Sequence, residues 1–175
     1  MISVCVVFSA IFGNVTRSGF EKARIVFVDV GQGDCMHFKT EEGKNYLIDG
    51  GGKKDYNVGK EILKPYLLKN GVKKADGAFV THMHQDHYKG IAELCREGMV
   101  EKLFIYEGNR SEEKEIVKET GIRKENIVYL KKGDLIKLGE DTSAEVMWPE
   151  TAQKHAEDLK NDDENEVSLI LKVNI

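Results

Sequence analysis

The stretch THMHQDHYKG, residues 81–90, sets three of the chain's five histidines and an aspartate within six consecutive positions, directly after the apolar GAFV of residues 77–80. On a helix, positions 82, 84, 86 and 87 spread around the cylinder. On a strand, alternation puts His82, His84 and Asp86 on one face and His87 on the other. Neither shape gathers all four side chains. A loop leaving the end of a strand can do so, with His82 and His84 aimed at one point and Asp86 and His87 at a neighbouring one. Imidazole nitrogen and carboxylate oxygen suit Zn²⁺ or another divalent transition ion, so the spacing predicts a site for two metal ions.

Working outward, the chain is clearly punctuated. RIVFVDV (24–30) is β-branched and aromatic; after the GQG break DCMHFKT (34–40) reads as a second strand, which turns through EEGK into a third, NYLID (45–49). That is a meander. Residues 58–71 carry Ile62, Leu63, Tyr66 and Leu67 at helical spacing, with Asn57 as cap, Pro65 as a kink and Gly71 as the stop. A strand at 77–82, a helix at 88–98 and a strand at 101–106 follow. Asn109 and Glu112 form a capping-box pattern opening a helix at 111–120. Strands ENIVYL, DLIKLG, AEVMW and EVSLILKVN finish the chain, interrupted by a polar, acidic stretch around KHAEDLKNDDENE. Strand and helix alternate in the middle and strands dominate the ends, which predicts a layered fold, mixed α/β or α+β.

Composition bounds the function. The 175 residues are 41% hydrophobic and 32% charged, enough for one domain with a real core. The net charge of -4 arises from interspersed acids and bases, so no long basic stripe grips a phosphate backbone unaided; a bound metal can supply local positive charge instead. Cys5, Cys35 and Cys95 are odd in number and far apart, which argues against a disulfide framework or a cysteine zinc knuckle. Residues 2–13, ISVCVVFSAIFG, form an apolar run too short for a membrane span but of signal-peptide length, with no Lys or Arg before it. Residues 1–23 therefore read as an apolar leader, a signal-peptide remnant or else a buried N-terminal strand, with its linker. The domain begins at residue 24.

THMHQDHYKG resembles the HxHxDH signature of the metallo-β-lactamase superfamily, and LIDGG (47–51) resembles the strand-end aspartate motif that precedes it there. FVDVGQGDCMHF narrows the resemblance to the hydrolase domain of the ComEC competence DNA-uptake family and its stand-alone relatives, as does the late Asn-x-x-Ser strand in NEVSLIL. The resemblance implies an αββα sandwich, here mainly its N-terminal half, with metals at the edge between two sheets. It implies that His82 and His84 hold one ion, that Asp86 and His87 hold a second, and that Asp49 braces the loop by hydrogen bonding. The ions would be zinc, or manganese or iron. Gly31 and Gly33 would permit a tight turn beside the site, with Gln32 and Asp34 at its periphery.

The implied chemistry is metal-assisted hydrolysis of a phosphodiester or related ester, in a small molecule or nucleic acid. Asp86 would be the catalytic carboxylate that takes or relays a proton, and a helix beginning near Tyr88 would turn its N-terminus towards an anionic substrate. The family completes its site with an aspartate in a TGD stretch and a later histidine in HHGS. Neither string occurs here, so the chain is expected to be incomplete at its C-terminus. His155 reads as a solvated histidine, and His37 as a core or surface histidine, rather than as ligands. The alternative to an enzyme is a truncated, inactive fragment acting as a metal-binding or assembly module; a β-lactam hydrolase is a third reading, disfavoured by DVGQGD. Half a sandwich leaves an apolar sheet face uncovered around VSLILKV, which predicts self-association. The leader and the resemblance together suggest a secreted or extracytoplasmic protein, the alternative being cytoplasmic.

Overall fold

In the computed structural model, which describes residues 22–149 and 167–175, the first three strands form the expected antiparallel meander: β1 (Arg24–Phe27), β2 (Met36–Lys39) and β3 (Asn45–Ile48). The leader, His155 and the acidic stretch lie outside the described residues. Three parallel strands are then laid down one after another, β4 (Gly77–Phe79), β5 (Leu103–Tyr106) and β6 (Ile127–Leu130), giving a six-stranded sheet in the order β1 to β6. Crossovers between parallel neighbours are right-handed. Because each step moves in the same direction across the sheet, every connecting helix falls on one face. The other face is left for a second, antiparallel sheet of β7 (Leu135–Lys137), β8 (Ser143–Trp148) and β9 (Ile170–Asn174).

The central strands are apolar on both sides for this reason. Leu47, Ala78, Val80, Leu103 and Ile105 join the core on the helix side, with Leu63, Leu67, Ile91, Leu94 and Ile116. The alternating residues Tyr46, Phe79, Phe104 and Tyr106 fill the space between the sheets with Ala144, Val146 and Leu169. Phe79 and Phe104 stack there, ring centroids 4.4 Å apart. Burying each large side chain contributes roughly 1.5–3 kcal/mol, so the two cores share the six-stranded sheet as their common wall. Among the described residues the layers are helix, sheet, sheet; the outermost helix layer of an αββα sandwich is not among them.

Several local expectations change in tertiary context. The first helix begins as a π-helical turn, Gly59–Leu63, and becomes α1 (Lys64–Lys69) at Pro65. Proline has no N–H to give an i−4 carbonyl, and the turn before it is wound wider rather than sharply kinked. Asn57 supplies its backbone carbonyl to Glu61 N–H, not a side-chain cap. The cap comes instead from the next helix: Glu93 Oε2 accepts the Gly59 N–H at 2.7 Å, satisfying a helix-start donor with a negative charge. The capping box at Asn109 and Glu112 does not form. A 3₁₀ turn, Glu107–Glu112, leads into α3 (Glu113–Thr120) with no side-chain cap, and Asn109 is buried.

Among the described residues, one flank of the sandwich is open. β1 and β9 are edge strands bordering an apolar cavity of about 430 Å³ between the sheets, lined by Ile25, Met36, Phe38, Ile48, Ile170 and Leu171 among others. Ile170 is exposed there, at 56%, and Phe27 of β1, at 78%, is exposed beside the neighbouring cavity that His82 and His87 line. No helix among the described residues is long and apolar enough to cross a membrane.

Candidate metal centre

Three glycine-bearing segments lock together where β3 and β4 end. α2 (Gln85–Arg96) starts three residues earlier than the sequence suggests, so Asp86 and His87 belong to its first turn and His84 is its N-cap. The four residues are therefore divided between a strand-end loop and a helix, not carried by one loop. The turn after β1 and the turn after β3 are stitched by Gly51 N–H to Asp34 O and Gly52 N–H to Gln32 O. The second turn is in turn joined to α2 by Gly50 N–H to His87 O and Gly90 N–H to Gly51 O. The approach is close enough that side chains are excluded. A Cβ on Gly33 would lie 1.7 Å from Asp86 O, and one on Gly52 2.0 Å from Gln85 O.

Asp49 sits at the centre of this lock. Its backbone is left-handed, with φ 57°, a conformation Asp tolerates better than most residues. Its buried carboxylate accepts three hydrogen bonds: from Thr81 N–H to Oδ1 at 2.8 Å, from Thr81 Oγ1 to Oδ2 at 2.7 Å, and from His87 Nδ1 to Oδ2 at 2.8 Å. Thr81 Oγ1 also meets His82 Nδ1 at 3.1 Å. The rings of His82 and His87 lie 4.1 Å apart, and those of His82 and His84 4.7 Å apart.

The electrostatics separate the histidines. Burial, followed by the neighbouring His87 and His84, pushes the His82 pKa down and favours its neutral form. The hydrogen bond to Asp49 raises that of His87. His82 Nε2 is buried and has no hydrogen-bond partner, which is costly for a polar atom unless something binds it. His82, His87, Asp49, Asp34, Cys35 and Ser168 line a cavity of about 260 Å³. The larger groove of about 640 Å³ between β6 and β7 holds no histidine and is not the chemical site.

The structure thus brings His82, His84 and His87 into one cluster, with Asp49 behind it. Asp86 follows on the first helical turn, close enough that its charge acts on both His82 and His87. Among the described residues no three His, Cys, Asp or Glu donors converge on one point, so the rings must turn for three to meet on one ion. In chemistry the set fits: neutral imidazoles are divalent-metal ligands, and the buried His82 Nε2 has no hydrogen-bond partner that a metal would have to displace. His37 lies elsewhere in the core, bonded at 3.0 Å to both Tyr66 and Asn45. Cys35 is not a reactive thiol, since burial, followed by Asp49 and Asp34, raises its pKa to about 12.

Two participants, Thr81 and Ser168, stand in the sequence only as members of motifs, with no role assigned to either. Thr81 was read only as part of the motif, although a hydroxyl between a strand-end aspartate's partner strand and a histidine is a visible signal. Ser168 is brought to the cavity because Leu169 N–H bonds to Thr81 O at 2.8 Å, a contact no local pattern announces.

Comparison with known proteins identifies the family of this chain. Over 144 residues the chain is 28% identical to ComE operon protein 3 of Bacillus subtilis (strain 168), a match covering 74% of this chain and 18% of that protein. The chain thus spans less than a fifth of that relative's length. Among solved structures, a variant of the CmlA beta-hydroxylase is similar with a TM-score of 0.46 and 16% identity, over 73% of this chain and 25% of that one. The family model for the metallo-beta-lactamase superfamily matches residues 28–156, and the chain belongs to that superfamily.

Proposed function

We propose that this chain carries the histidine-rich half of a metal-dependent hydrolase centre whose substrate is a phosphodiester. The observation that carries the reading is the buried, unpartnered His82 Nε2 beside the rings of His84 and His87. His82, His84 and His87 would hold divalent ions, zinc first among them, with Asp86 as the carboxylate ligand. When bound, such ions supply Lewis acidity and an activated water.

The chain's own groups do the rest. Asp49 orients the His87 ring through Nδ1, and that residue lines the cavity. Asp86 is positioned to accept or relay a proton. The positive end of α2, which begins at this cluster, favours an anionic substrate over a neutral one. The resemblance of DVGQGD, LIDGG and THMHQDH to the competence DNA-uptake family favours nucleic acid as the source of the phosphodiester. That resemblance and the apolar run at 2–13 support a working place outside the cytoplasm.

A second reading has its own observation. Because three donors do not converge among the described residues, the chain by itself could bind metal weakly and serve as a non-catalytic module. Metal content of the purified protein, measured beside His84→Ala, separates the two. About two equivalents, lost in the variant, with turnover of a chromogenic phosphodiester, support the hydrolase. Metal-free protein in both cases, with no turnover after adding zinc or manganese, overturns it.

A further inference from the structure

We propose that Thr81 is a positioning residue that relays the charge of Asp49 to His82 and holds that ring as its Nδ1–H tautomer, with Nε2 bare towards the cavity.

The argument is a count of protons. Asp49 Oδ2 and Thr81 Oγ1 lie 2.7 Å apart, a separation that requires a proton between them. The carboxylate is an acceptor, so the hydroxyl's one hydrogen is committed to it. Thr81 Oγ1 therefore meets His82 Nδ1, 3.1 Å away, with only lone pairs to offer. The imidazole must bring the hydrogen. The opposite arrangement, with the hydroxyl donating to the ring, leaves two bare oxygens facing each other at 2.7 Å. In water a neutral histidine prefers its proton on Nε2; here the partner at the other nitrogen decides. The buried Nε2 with no partner is what this tautomer leaves behind.

Asp49 thereby governs two rings by different routes. It takes the Nδ1 hydrogen of His87 directly at 2.8 Å, and that of His82 through one hydroxyl. Both rings end with the same nitrogen free. A third bond, Thr81 N–H to Asp49 Oδ1 at 2.8 Å, uses the backbone and survives any side-chain replacement at 81. That bond keeps the threonine's main chain in place when its hydroxyl is removed.

The tautomer stands on hydrogen bonds alone, whereas its consequence for zinc rests on the hydrolase reading, so the test reads the two separately. In ¹⁵N-labelled, metal-free protein above the imidazole titration range, two-bond proton–nitrogen correlation is expected to show His82 with Nδ1 protonated and Nε2 bare. Thr81→Val should shift the ring towards the Nε2–H form, and Thr81→Ser should restore it. Zinc affinity should fall by about 10–100-fold in Thr81→Val and recover in Thr81→Ser. A wild-type His82 protonated on Nε2, or an unchanged tautomer in Thr81→Val, overturns the relay. The expected tautomer in a wild-type protein that binds no zinc upholds the relay and removes the hydrolase reading instead.

Discussion

Asp49 and His87 are 38 positions apart in the chain, yet Oδ2 of one lies 2.8 Å from Nδ1 of the other. The same carboxylate also holds the backbone and hydroxyl of Thr81, so one residue ties the end of β3 to the end of β4 and to α2. Replacing it with asparagine keeps the size and tolerates the left-handed backbone, but turns part of an acceptor into a donor. Asp49→Asn is expected to lose about 3 kcal/mol of stability, the scale for disrupting buried hydrogen bonds to a charge. Urea denaturation of the two proteins measures it, and a loss under about 1 kcal/mol would show the lock to be marginal.

The glycines at 31 and 33 offer a matched pair. Both have φ of 80°, but a Cβ at Gly31 meets nothing within 4 Å while one at Gly33 runs into Asp86 O. Gly31→Ala should cost only the backbone strain, about 1–2 kcal/mol. Gly33→Ala should cost clearly more and displace the first turn of α2. Thermal melts of the two variants give the comparison; equal losses would mean that the contact with Asp86 yields easily.

His37 predicts a pH dependence. It is buried among Tyr66 of α1, Asn45 of β3, and the charges of Arg24 and Lys39, and burial is the main cause that lowers its pKa from 6.5. Below about pH 6.5 the unfolded chain then binds more protons at this residue than the folded one, so stability falls as pH falls. Above that value His37 is neutral in both states and contributes no slope. His37→Gln should flatten the decline in unfolding free energy between about pH 7 and pH 5, since His82 and His87 titrate alike in both proteins. An unaltered slope would assign the dependence to other groups.

The open flank predicts association. Ile25 and Phe27 on β1 and Ile170 on β9 are exposed beside edges that no strand among the described residues pairs, the arrangement that templates further pairing. The isolated 175-residue chain should sediment as dimers or larger species at micromolar concentration. Phe27→Ser combined with Ile170→Ser should shift it towards monomer, and a clean wild-type monomer would contradict the expectation.

The amino-acid sequence by itself determined the punctuation and the residue types of the candidate site. Alternating apolar residues and glycine-bearing turns placed the strands and helices, and HxHxDH named the imidazoles and carboxylate that belong together. Local patterns failed where distant residues competed with them. Glu93, not Asn57, caps the first helix, because a carboxylate from α2 reaches Gly59 N–H. Asp86 and His87 wind into a helix because the backbone of α2 is gripped by the turn after β3.

Only the tertiary structure decided which groups the Nδ1 atoms of His82 and His87 meet. Leu47 pairs with Ala78 and Ile48 with Phe79 in parallel register, and that register carries Asp49 alongside Thr81. A slip of one residue would turn the strand's side chains to the opposite faces and break the contact. Residue types are written along the chain, but hydrogen bonds at 2.7 and 2.8 Å between positions more than thirty apart exist only once the two strands are laid side by side.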